Sequence, residues 1–92
     1  MAKSYLNVFE ALEDDQVMAE NLFVRSRLMI EIQEYIKREG LTQIQAAKHM
    51  GVTQPRVSDL VCGKIDLFTI DMLVNMLARA GKRVEITLKN AA

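Results

Sequence analysis

The sequence predicts an all-α domain of five helices, closed by one short C-terminal β-strand. Three observations carry that expectation. Apolar residues recur at helical spacing, most clearly at Leu28, Ile32, Tyr35 and Ile36. Three further stretches each lie between a threonine and a glycine: Thr42 and Gly51, Thr53 and Gly63, Thr69 and Gly81. One segment alone, residues 83–88 (RVEITL), alternates apolar and polar residues with a period of two.

The elements follow in order. Asn7 is placed to cap a short helix over Val8 to Leu12. The acidic run Glu13-Asp14-Asp15 suits the positive end of a second, longer helix, expected from about Asp15 to Arg38 and stopped by Gly40. The second half of that helix carries the clear stripe. Its first half holds Val17, Leu22, Phe23 and Val24 off that stripe, and Met29 and Ile30 fall off it too. Two readings stand: a fully packed or kinked helix near Arg25 to Arg27, or a surface that receives a partner. After Gly40, Thr42 and Gln45 form a capping box. Ile44, Ala46, Ala47 and Met50 give the third helix its buried side, and Gly51 ends it. Thr53 caps the fourth, with Pro55 in a first turn where a missing N–H costs nothing. Lys64 to Phe68 reads as a connector. Thr69 caps the fifth helix, with Ile70, Leu73, Val74 and Leu77 on one stripe.

Length and composition set bounds. A chain of 92 residues is expected to form one domain, 1–92, with an N-terminal helical segment at 1–40. Hydrophobic residues at 50% and charged residues at 26% exclude prolonged disorder. No apolar run approaches the roughly 18 residues of a membrane helix, so no membrane association is expected. The stretch MAKSYLNVFEALEDD has no signal-peptide character, and Cys62 has no second cysteine to pair with. A reducing, cytoplasmic setting is the expectation. The net charge is zero but polarised. Residues 1–40 hold five basic and eight acidic side chains, a net of −3; residues 41–92 hold seven and four, a net of +3. The second half is the one suited to phosphate.

Residues 42–63 carry the functional signal. Two short capped helices joined by a turn with a glycine make a helix-turn-helix. Ala47 is small where the helices cross, Gly51 permits the turn, and Val52 plugs the elbow. Val57, Leu60 and Val61, at i, i+3 and i+4, dock the second helix. A helical hairpin serving only as core is the plainer alternative.

The segment TQIQAAKHMGVTQPRVSDLVCGK resembles the phage-repressor-like (Xre) helix-turn-helix family. The longer pattern of LTQ-x-x-AA, GVTQPRVSDL, FTIDMLVNML and AGKRVEI is similar to the HigA-like antitoxins of toxin–antitoxin operons, over about residues 15–88. The resemblance implies about five helices, a homodimer and a palindromic double-stranded DNA operator. In the antitoxin branch it also implies neutralisation of a small basic, mRNA-cleaving toxin. Within such a domain the second motif helix enters the major groove by its N-terminal end. Gln54 then lies near the base edges and can read adenine through two hydrogen bonds. With Val57, Leu60 and Val61 inward, Pro55, Asp59 and Cys62 turn outward, flanked by Arg56 and Ser58. The resemblance assigns phosphates to Gln43 and Thr53. Arg56 could reach a guanine or a phosphate, and Lys48 and Lys64 the backbone. Pro55 offers only a surface for a thymine methyl. Asp59 either accepts from a cytosine amino group or pairs with Arg56.

The expected strand at 83–88 has an apolar face of Val84, Ile86 and Leu88 and no second strand to join. Its simplest partner is the same strand of a twin subunit, antiparallel across a two-fold axis; the alternative is an extended tail lying on its own domain. Catalysis is not expected. His49 and Cys62 are the only residues of their types, and no metal-ligand spacing or phosphate loop is present, so no cofactor or metal is anticipated. Three functions therefore compete: an antitoxin that represses its own operon, a stand-alone regulator, and an interaction module using the fold as scaffold.

Overall fold

The computed structural model describes residues 8–90, with side chains from Asp14 onward. Its elements are α1 (Val8–Arg38), α2 (Gln43–Met50), α3 (Gln54–Val61), a 3-10 turn at Ile65–Leu67, and α4 (Ile70–Arg79). Among the described residues four α-helices stand where five were expected. The break between Leu12 and Asp15 does not form, and α1 runs unbroken for 31 residues. The reason is local: no glycine or proline lies between Val8 and Arg38, and Ala, Leu and Glu are good helix formers even in an acidic run. The cap expected at Asn7 lies outside the described residues.

At 1.5 Å per residue α1 is about 46 Å long, so it sets the 51 Å long axis of the molecule. Only its C-terminal half meets the body. Leu28, Met29, Ile32, Tyr35 and Ile36 are buried there. Residues 14–21 are all exposed, and Val17, Met18 and Phe23 are more than half exposed. The fully packed reading of this stretch therefore fails.

The core is one cluster. To α1 it adds Ala46, Ala47 and Met50 from α2, Val57 and Leu60 from α3, and Leu73, Met76 and Leu77 from α4. Phe68 closes it from the connector and is 1% exposed. Several sequence expectations change here. Ile44, Val61 and Val74 are exposed rather than buried, and Met29 and Met76 are core. In α2 the small pair Ala46 and Ala47 faces inward, which at 100° per residue turns Ile44 well off that face. Polar bonds fasten α1 to the rest. Gln33 Nε2 donates to the Leu60 carbonyl at 2.9 Å. The Arg25 guanidinium donates to the carbonyls of Phe68 at 3.3 Å and Ile65 at 3.4 Å.

Residues 83–88 do not form a strand within the chain. A strand exists through its ladder, and among the described residues no other strand offers one. Val84 packs against the core, while Ile86 and Leu88 are 79% and 89% exposed. Among the described residues no helix is long and apolar enough to cross a membrane.

Candidate nucleic-acid interface

Threonines fix the starts of both motif helices. Thr42 Oγ1 accepts from the Gln45 amide at 3.1 Å, and Gln45 Oε1 accepts from the Thr42 amide at 2.9 Å, completing the capping box. Thr53 Oγ1 accepts from the Arg56 amide at 3.3 Å, and Pro55 lies in the first turn of α3. Such caps are each worth about 1 kcal/mol. They also leave the first amide of each helix without a partner inside that helix.

Between the helices Gly51 adopts φ 68°, in the left-handed region. The amide of Val52 then closes back on the Ala47 carbonyl at 3.0 Å. A second constraint falls on the same residue. Arg79 of α4 lies across it, donating from Nη1 to the Gly51 carbonyl at 3.3 Å. A Cβ at Gly51 would stand 2.7 Å from Arg79 Cδ. The turn therefore needs a glycine for its backbone, and a side chain there would also displace the exposed Arg79.

The caps and the turn bring Gln43 and Gln54 together. Gln54 Nε2 donates to Gln43 Oε1, joining the first turns of α2 and α3 across the motif. Gln54 is exposed, as are Thr53 and Pro55 beside it. Gln43 keeps its amide N–H groups for an outside acceptor, and Gln54 keeps its carbonyl oxygen and one N–H.

The charged residues are placed differently. The Arg56 guanidinium donates to the Leu67 carbonyl at 3.3 Å and lies 5.5 Å from the Phe68 ring centroid. It also stands 3.9 Å from Asp59, whose other oxygen is 3.7 Å from Lys64 Nζ. In the chain alone Asp59 is paired with Arg56. These pairs are partly exposed and individually weak. Together they tie two of the three cations of the motif back to the protein. Lys48 is exposed on α2 with no ion-pair or hydrogen-bond partner among the described residues. Ser58 is half-buried, and its carbonyl accepts the Cys62 amide at 2.9 Å.

Sequence reasoning missed two residues that hold this region. Phe68 was read as connector, though it is the only aromatic residue after Tyr35 and sits among apolar neighbours just before a cap. Arg79 carries no sequence signal for a contact with Gly51. His49 belongs to no cluster; its Nδ1 lies 3.0 Å from the Tyr35 hydroxyl. Among the described residues no group of acidic, histidine or cysteine side chains gathers into a metal-sized site.

A family model described as a helix-turn-helix domain matches residues 11–89. A solved structure described as an XRE family transcriptional regulator is similar to the chain with a TM-score of 0.72 and 32% sequence identity, covering 79% of this chain and 82% of that one. No curated protein matches the chain.

Proposed function

The chain belongs to the helix-turn-helix domain family and is of the XRE type, and from that premise we propose that it is a DNA-binding transcriptional regulator reading a palindromic operator through Gln54. The observation that carries this reading is the Gln43–Gln54 hydrogen bond. It sets the exposed Gln54 amide beside the half-buried Gln43 at the start of α3 before any ligand arrives. With the N-terminal end of α3 in the major groove, Gln54 reads adenine and Gln43 and Thr53 take phosphates. Pro55 meets a thymine methyl. Lys48, Lys64, Ser58 and the amides at the helix starts line the backbone. Arg56 and Asp59 enter as a pair: phosphate competes with Asp59 for the guanidinium.

Few free cations predict modest affinity for one subunit. A homodimer resolves this, with residues 83–88 pairing antiparallel across a two-fold axis through Val84, Ile86 and Leu88. The exposure of Ile86 and Leu88 supports it. Recognition helices about 34 Å apart would then meet successive turns of DNA.

The resemblance to HigA-like antitoxins extends the proposal. In that role the acidic, apolar-rich stretch from Asp14 to Ile30 receives a small basic toxin, and its exposed Val17, Met18 and Phe23 support a covered surface. Anisotropy titration against promoter DNA tests the DNA reading, and native pull-down tests the partner. Loss of specific binding in Gln54→Ala and recovery of a small basic protein are the expected results. Binding unaltered by Gln54→Ala would remove that residue from base reading. Recovery of no basic partner would leave a stand-alone regulator.

A further inference from the structure

α1 buries one face against the body over its C-terminal half. On the flank beside that face, at 100° per residue, lie Asp15, Ala19, Leu22, Ser26, Ile30, Gln33 and Lys37, and of these Gln33 is bonded to the Leu60 carbonyl. All seven are exposed or half-buried, with Ile30 41% exposed. Residues spaced by threes and fours keep to one stripe of a helix, and an 11-residue repeat of that stripe gives paired helices a right-handed supercoil. Here the spacings run 4, 3 and 4 in both directions from Ser26.

The chemistry repeats the same symmetry. Rotation by half a turn about an axis through Ser26 sets Asp15 against Lys37 of a second copy, Ala19 against Gln33, and Leu22 against Ile30. Ser26 meets itself, and its small side chain lets the helices approach. Opposite charges thus close both ends of an apolar middle. Neither Asp15 nor Lys37 has an ion-pair partner among the described residues. Beside Ile30 a shallow hollow floored by Met29 and Ile65 is open to receive the incoming Leu22.

We propose that α1 pairs antiparallel with α1 of a second copy across a two-fold axis at Ser26. The contact is isologous, as two-fold symmetry requires. It is separate from residues 83–88 and does not depend on the DNA reading. It also leaves Val17 and Val24 uncovered, because they continue the line of the core residues beyond the body rather than this stripe. Tail pairing and α1 pairing together would join two dimers and present two pairs of recognition helices.

Disulfide trapping and sedimentation of the full chain test this without DNA. In a Cys62→Ser background, Ser26→Cys is expected to give a covalent dimer on mild oxidation, while Glu31→Cys in the same background gives none. Ile30→Asp is expected to weaken self-association at least about tenfold. Asp15→Lys and Lys37→Asp should each weaken it, and the double reversal should restore it. Circular dichroism confirms that each variant keeps its helix content. A monomer at high micromolar concentration overturns the proposal. So does association that survives Ile30→Asp but is lost in the tail variant Ile86→Glu, which would assign it to residues 83–88 alone. Failure of the double reversal to rescue, or a basic foreign protein seated on this stripe in place of a second copy, overturns it as well.

Discussion

Gln54 can be altered without touching the core, so reading and folding separate there. It is exposed, and among the described residues its side chain bonds only to Gln43. Gln54→Ala is expected to cost about 1–3 kcal/mol of specific DNA affinity with no change in circular dichroism; fluorescence anisotropy on specific and scrambled duplexes checks it. Asp59 works in the opposite direction. Removing its charge in Asp59→Asn releases Arg56 and Lys64 from their pairs at 3.9 and 3.7 Å. Non-specific DNA affinity should rise, and the slope of log K against log salt should steepen by about one unit. A slope unchanged from the parent would mean that neither cation gains a phosphate. Gly51 is governed by backbone shape. Gly51→Ala places a side chain in the left-handed region, at about 1–2 kcal/mol, and presses Cβ onto Arg79. In an Arg79→Ala background the second part vanishes, so thermal melts should show a smaller loss from the same substitution.

At the scale of elements, the connector behaves as core. Phe68 is 1% exposed, takes the Arg25 guanidinium on its carbonyl and the Arg56 guanidinium over its ring. Phe68→Ala is expected to destabilise by about 3–5 kcal/mol, read as a lowered urea midpoint. For a domain whose whole stability is roughly 5–15 kcal/mol, that approaches unfolding. What the sequence made legible follows from local chemistry. Thr42, Thr53 and Thr69 announced their helices because a hydroxyl satisfies amides within three residues, and Gly51 announced the turn because φ restricts it. The single α1 was illegible because Glu13 to Asp15 suits both a helix start and a helix interior, and nothing nearby forbids either. The pairing of Arg56 with Asp59 was open to view at three residues' separation, but its contacts with Leu67 and Phe68 lie eleven and twelve residues away. Contacts across that distance leave no periodicity. Ile44 and Val61 misled for another reason: an eight-residue helix has too few turns for its stripe to be averaged.

On the scale of the whole molecule, its ends carry surface that the body does not use. Ile86 and Leu88 are almost fully exposed, so the pair of changes Ile86→Glu and Leu88→Glu should leave the melting temperature of one chain unmoved. The same pair is expected to abolish tail pairing in sedimentation and to weaken operator binding, since two half-sites would no longer be held together. Normal operator affinity in that variant would refute tail-mediated dimerisation. The protruding half of α1 has a kinetic consequence as well. Backbone amides near Leu28 to Ile36 sit over buried side chains and can exchange with deuterium only when the body opens. Those from Asp14 to Asn21 lie over exposed side chains beyond the body, and an isolated helix of that length is marginal in water. One continuous helix therefore holds a steep gradient of amide protection, falling toward its N-terminal end. Anything that settles on α1 would move that boundary by whole turns, which makes the helix its own recorder of how far it is covered.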